Sequence, residues 1–271
     1  MSSRRDDDRV RVVLVGWGAI SHAVVDALGD APIDIVAVAR RDWSSGRDGL
    51  HESVATVSTP EEVEGLEIDL VVEAAGREAV APWACAAIGL QADLIVSSVS
   101  AFADGALLAD LRSAAEAAGT RIEIHPGALA GVDALSAARS IGLDRVEHRI
   151  VKPPRAWVGT PAETLCDLSG LTESTVFFTA SAAETASAFP KNANVAMTSA
   201  LAGVGPDQTR VSLVADPEAS ANRHEILAMG DFGELRVSIA SHPLLGNPRT
   251  SAMAAHSLVR AIRNRASAIV I

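Results

Sequence analysis

Tyrosine is absent from the 271-residue chain, and lysine occurs only at Lys152 and Lys191, although Lys and Arg together number 23. The first absence excludes any mechanism built on a phenolic acid; the second leaves two candidates for lysine chemistry. Cysteine is almost as scarce. Cys85 and Cys166 are far apart, with no Cys or His at ligand spacing, so neither a disulfide framework nor a metal site is expected. That usage fits a reducing, cytoplasmic setting. No apolar run reaches the roughly 20 residues of a membrane span, and the charged stretch 1–9 reads as a frayed tail without the apolar segment of a signal peptide. Positive charge is short as well: the formal net charge is -11 and no stretch interleaves basic with aromatic residues, which argues against a nucleic-acid partner. Aromatics make up 3% of the chain against 48% hydrophobic residues, so the core is built from small aliphatic side chains.

What is present is an alternation of short apolar runs and amphipathic stretches, the pattern of strand, crossover helix, strand. Residues 12–15 are continuously aliphatic, as in the middle of a parallel sheet, and Gly16 ends them. A helix is expected over 19–28, closed by Gly29, then a strand over 33–39. Residues 41–52 read as a mobile loop, and Thr59-Pro60-Glu61-Glu62 as a capping box opening a helix. Further strands are expected at 54–57, 69–75, 94–97 and 122–124, with helices at 77–88 and 105–118.

After His125 the texture changes. Val146, His148 and Ile150 alternate with Arg145, Glu147 and Arg149, a half-exposed strand, and 175–179, 211–214, 223–228 and 235–239 are similar. Helices are expected at 128–139, 182–188 and 195–204, and a helix over 251–263 followed by an apolar strand over 266–271. The expected fold class is therefore α/β: a Rossmann-type doubly wound parallel sheet in residues 1–125, with 248–271 packing back on it. A second, α+β domain on a mixed or antiparallel sheet in 126–247 would serve substrate binding and homodimer formation.

Gly16-Trp17-Gly18-Ala19-Ile20-Ser21 lies between a buried strand and a helix, the setting of a dinucleotide fingerprint. Gly16 would make the tight turn, Gly18 would admit the pyrophosphate, and the first helical residues Ala19 and Ile20 would present backbone N–H groups. Ser21 holds the third small position. About 20 residues on, Ala39-Arg40-Arg41-Asp42 follows the second strand. Arg40 and Arg41 favour a 2′-phosphate and hence NADP, whereas Asp42 could serve the ribose of NAD, so NAD or NADP is the expected cofactor.

In the second half, Lys191 stands beside Asn192 and Asn194 before a helix, with Asn194 read as its N-cap. His224 shares a strand face with Ile226 and Ala228, where burial tunes a histidine for proton transfer. His125, after the last parallel strand, is its rival.

Taken together, Gly16-Trp17-Gly18-Ala19-Ile20, Gly127-Ala128-Leu129-Ala130-Gly131-Val132-Asp133-Ala134, Phe189-Pro190-Lys191-Asn192-Ala193-Asn194-Val195-Ala196, Asn222-Arg223-His224-Glu225-Ile226 and Asn247-Pro248-Arg249-Thr250-Ser251 resemble the L-aspartate dehydrogenases. The resemblance spans nearly the whole chain. It implies NAD(P)-dependent oxidative deamination of L-aspartate to oxaloacetate and ammonia through iminoaspartate, or the reverse, with a link to NAD biosynthesis. It further implies that Ala128 and Asn194 contact the cofactor and that His224 is the active-site histidine. Lys191, Asn192 and Arg223 would then face the substrate carboxylates. Where that family is expected to carry Pro-Ser, this chain has His125-Pro126. Alternatives are a homoserine-dehydrogenase-like or dihydrodipicolinate-reductase-like oxidoreductase, or a non-catalytic nucleotide sensor. A sugar-dehydrogenase reading is disfavoured because Ser97-Ser98-Val99-Ser100 lacks a Glu-Lys-Pro.

Overall fold

A computed structural model describes residues 9–44, 46–47, 49–245 and 247–271, the side chains of residues 248 and 249 excepted. Most of the expected tail therefore lies outside the described residues, as do two positions of the expected loop and part of the Asn247 motif. The chain divides into two units, residues 1–125 with 255–271, and residues 126–254.

The first unit opens with β1 (Val10–Val15), α1 (Ala19–Leu28), β2 (Ile33–Ala39) and β3 (Ala55–Val57). It continues with β4 (Leu70–Glu73), α2 (Arg77–Gly89), β5 (Asp93–Val96), α3 (Gly105–Ala118) and β6 (Ile122–Ile124). All six strands are parallel, in the order β3-β2-β1-β4-β5-β6. The order reverses direction beside β1, and in open α/β sheets ligands bind at that point, at the carboxyl ends of the strands. Val12, Leu14, Val72 and Ile95 are fully buried and pack with Val24 and Leu28 of α1.

The expected capping box is not formed. Thr59 makes no side-chain cap, and Pro60–Val63 is a single 3-10 turn. The Thr59 hydroxyl bonds the neighbouring Glu61 carboxylate, while Glu62 accepts the Ser58 N–H.

In the second unit, α4 (Val132–Ile141) starts four residues later than expected, because Gly127 and Gly131 take left-handed backbone at φ +62 and +67. Then come β7 (Arg145–Lys152), α5 (Ala162–Leu165), β8 (Thr175–Ser181), α6 (Ala182–Ala188), α7 (Ala193–Ala202), β9 (Arg210–Ala215), β10 (Asn222–Gly230) and β11 (Gly233–Ser241). A capping box does form here, between Ser181 and Glu184 at the start of α6. The sheet order is β11-β10-β7-β9-β8, antiparallel except for the β7–β9 pair. Val146, Ile226 and Ala228 on one face pack with Leu135 of α4, and Ile150, Val211 and Leu213 pack with Ala196 and Ala200 of α7. Small side chains along α7 let it lie close to the sheet, and Ala196 through Ala200 are all buried. The opposite face is mixed: Arg149 pairs with Glu225 and Arg145 with Glu147, beside the exposed side chains of Val176 and Met229.

The unit ends with a short hairpin, β12 (Pro243–Leu244) and β13 (Asn247–Ser251), before α8 (Ala252–Ala266). In the first unit Ala255, Leu258, Val259 and Ile262 of α8 are buried at helical spacing. Arg265 joins its end to Asp93 and Glu123 at 2.5 and 2.8 Å. The strand expected over 266–271 is not formed. α8 takes up Ala266, Ser267 turns back onto the Arg263 carbonyl, and Ile269 and Ile271 are 81% and 94% exposed.

Candidate active site

The nucleotide end is assembled in the first unit from Gly16, Gly18 and the first turn of α1. Gly16 has φ +102, and a Cβ there would lie 2.8 Å from the Ala74 carbonyl oxygen, so the turn admits only glycine. Gly18 differs: a Cβ would meet nothing within 4 Å. That open space leads to a cleft of about 840 Å³ lined by Gly16, Gly18, Arg40, Arg41, Gly76 and Arg77, among others. No side chain caps α1 and no acid lies in its first turn, so its N-terminal N–H groups and dipole remain for an anion. Ser21 packs close through its own chemistry: its buried hydroxyl donates to the Gly16 carbonyl at 2.7 Å and ties helix to turn. The cleft and its glycine cradle fit a dinucleotide.

Two features sharpen this end. Both carboxylate oxygens of Asp42 accept from Ser44, backbone and hydroxyl, at 2.8 Å each. Arg40 lies over the Trp43 ring, and Arg41 is exposed at 3.9 Å from the equally exposed Glu78. Glu73, at the carboxyl end of β4, was not singled out from sequence. It is fully buried and accepts from the N–H groups of Ala75, Gly76 and Ser98 and from the Ser98 hydroxyl, which fixes the loops forming the cleft floor. The only sequence signal for it is an acid ending the run Leu70-Val71-Val72.

In the second unit, His224 on β10 lies opposite Ile150 of β7, so His148 and Lys152 are its diagonal neighbours on the same face. His224 Nδ1 is 3.2 Å from His148 Nε2, and His148 Nδ1 is 2.9 Å from Ser199 Oγ on α7. Ser199 donates its hydroxyl proton to the Ala196 carbonyl at 3.0 Å. With that proton on the carbonyl, the Ser199 oxygen accepts from His148 Nδ1–H, and His148 Nε2 then accepts from His224 Nδ1–H. The remaining nitrogen of His224, Nε2, is then a lone-pair acceptor. Burial carries His148 down to about 3. Burial, then the charges of His148 and Lys152, holds His224 well below the ordinary histidine range. The arrangement is a neutral base held in one tautomer.

Lys152 ends β7. Its ammonium donates to Asn192 Oδ1 at 2.5 Å and lies 5.0 Å from the centre of the Trp157 ring, and burial lowers it to about 8. The other proposed residues are distributed differently. Asn192, not Asn194, occupies the N-cap position of α7, and its side chain binds Lys152 rather than capping the helix. Asn194 sits one residue inside the helix and is exposed, as is Lys191 in the preceding turn, while Ala128 is buried in the turn before α4. Arg223 falls on the opposite face of β10 from His224, joined to Glu225 at 2.7 Å and Asp216 at 3.5 Å. The rival His125 is in the first unit with both ring nitrogens 2.9 Å from serine hydroxyls, Ser97 and Ser257, and burial followed by Arg260 lowers it to about 4. It pins α8 to the ends of β5 and β6.

Residues 133–265 match the family model for the C-terminal region of aspartate dehydrogenase, and residues 16–125 match the NAD-binding domain of homoserine dehydrogenase. The chain is 50% identical over 262 residues to an L-aspartate dehydrogenase of Brucella anthropi, covering 96% of this chain and 98% of that one. It is 42% identical to one of Pseudomonas aeruginosa, covering 97% and 100%. The crystal structure of an aspartate dehydrogenase from Thermotoga maritima superposes with a TM-score of 0.77 at 25% identity, over 97% of this chain and 99% of that one.

Proposed function

Since the chain belongs to the L-aspartate dehydrogenase family, an NAD(P)-linked group of oxidoreductases, we propose that it oxidatively deaminates L-aspartate through iminoaspartate to oxaloacetate and ammonia, or runs the reverse amination. The observation that carries the reading is the Ser199–His148–His224 relay, which leaves His224 Nε2 as a neutral acceptor beside the only cation of its face, Lys152, among the described residues.

Gly16, Gly18, Ala19 and Ile20 would hold the dinucleotide through backbone groups, with Ala128 and Asn194 toward its nicotinamide end. Bound there, the nicotinamide supplies the two-electron acceptor for the hydrogen on the substrate Cα. His224 Nε2 takes a proton from the substrate ammonium before oxidation and releases it to solvent, then takes one from the attacking water and gives it to the departing amine nitrogen. In the amination direction the same nitrogen returns that proton. His148 and Ser199 hold the His224 ring in the tautomer that makes this possible.

Arg40 and Arg41 line the cleft, and Asp42 has both oxygens engaged by Ser44, which supports NADPH use at least equal to NADH. Homodimer formation through the second unit is part of the same reading; it predicts a dimer mass in light scattering, and a monomeric mass would count against it.

The test is amination of oxaloacetate. Purified protein is mixed with oxaloacetate, ammonia and NADH or NADPH, and cofactor absorbance is followed. Oxidation that needs both oxaloacetate and ammonia supports the reading. Measurable cofactor binding without oxidation favours a sensor, and oxidation without ammonia points to a hydroxyacid dehydrogenase.

A further inference from the structure

Lys152 is a cation without a counter-ion. No carboxylate pairs with it among the described residues: its one hydrogen-bond acceptor is the neutral Asn192 carboxamide, and its other neighbour is the Trp157 ring. The nearest acid along the sheet does not serve it. Asp216 gives its backbone N–H to the Lys152 carbonyl, but its carboxylate accepts from Arg223 and from the Glu218 N–H. An ammonium has three donors, and two of these have no acceptor among the described residues. A largely buried charge left in this state is costly unless a ligand completes it.

The position of the unmet donors gives that ligand its chemistry. Lys152 and His224 share one sheet face as diagonal neighbours, so a molecule that presents a proton to His224 Nε2 lies within reach of the ammonium. Asn192 and the Trp157 ring hold the ammonium, whose remaining N–H groups would serve an oxyanion. In a protein of net charge -11, a dianionic substrate needs such a localised cation. Lys191 is exposed and Arg223 occupies the other face, so neither competes for the role.

We propose that the Lys152 ammonium, positioned by Asn192, binds a carboxylate of the dicarboxylate substrate and is the charge that makes the His224 site select dicarboxylates. The identity of the dicarboxylate rests on the function proposed above; the binding of a carboxylate does not.

The experiment pairs two readouts on wild type, Lys152→Met and Lys152→Gln, each confirmed folded by its melting curve. The first is binding of succinate, an unreactive dicarboxylate, to the protein with NADP⁺ present, by calorimetry. The second is KM for oxaloacetate in amination. Loss of one charge-assisted contact predicts succinate affinity roughly 10- to 100-fold weaker and KM raised by a similar factor, with KM for cofactor unchanged. Unaltered succinate affinity and oxaloacetate KM in both variants would overturn the proposal while leaving the dehydrogenase reading intact. Succinate binding that depends on Lys152 in a protein inactive on oxaloacetate would support the carboxylate site and count against the reading.

Discussion

His224 Nδ1 stands 3.2 Å from His148 Nε2, and a Ser199 hydroxyl proton directed to the Ala196 carbonyl orients that hydrogen bond from the far end. Replacing His224 with Asn should lower kcat by about 10²- to 10⁴-fold, the usual contribution of a positioned acid or base, while cofactor affinity is retained. Ser199→Ala acts only through the relay. It strands a buried N–H of His148, so kcat should fall roughly tenfold with KM little changed. Steady-state kinetics on both variants checks this, and unchanged kcat in Ser199→Ala would show that the tautomer is not set from α7.

The two glycines of the cradle should respond in opposite ways. Gly16→Ala forces a Cβ against the Ala74 carbonyl at positive φ and should destabilise the protein by about 1–3 kcal/mol or more. Gly18→Leu meets open space and has an ordinary φ of -119, so its melting temperature should match wild type while dinucleotide affinity falls at least about tenfold. Melting curves with and without cofactor separate the two effects.

Cofactor choice should shift with Arg41. Arg41→Ala removes a charge at the cleft, so KM for NADPH should rise roughly tenfold with KM for NADH nearly constant. Equal changes for both cofactors would place the arginine away from the 2′-phosphate.

Much of this organisation could be read from the residues, and the failures have physical causes. β1, α1 and β2 are bounded by Gly16 and Gly29, whose backbone needs are local, so the first βαβ unit was legible almost residue by residue. Thr59-Pro60-Glu61-Glu62 misled because a cap needs a helix long enough to follow it, and only one 3-10 turn does. The apolar end misled because period alone cannot supply a strand partner. His224 was visible by alternation on its own strand. His148, Ser199 and Lys152 were not visible as its companions, because they meet it only through the pairing of β7 with β10 and the docking of α7, contacts distant in sequence. Asn194 looks like the cap from sequence, but the helix starts two residues earlier than expected, so Asn192 takes the N-cap position and gives its side chain to Lys152.

Acid should destabilise the protein earlier than an ordinary carboxylate titration would. In the unfolded chain a histidine takes up its proton near 6.5, whereas folded His125 and His148 do so only near 4 and 3. The stability tied to their neutral state is fully present above about pH 6.5. It is lost as pH falls from there toward 4, by up to about 1.4 kcal/mol per pH unit for each histidine. Melting temperature against pH should decline across this window, and His125→Asn should flatten the slope; a flat profile down to the carboxylate range would refute the neutral, buried assignment.

The account as a whole turns on hydride leaving the substrate Cα. L-Aspartate deuterated at Cα, incubated with the protein and oxidised cofactor, should yield reduced nicotinamide carrying deuterium at C4, together with oxaloacetate and ammonia. Reduced cofactor without deuterium, or none at all from a protein that binds the dinucleotide, would contradict it.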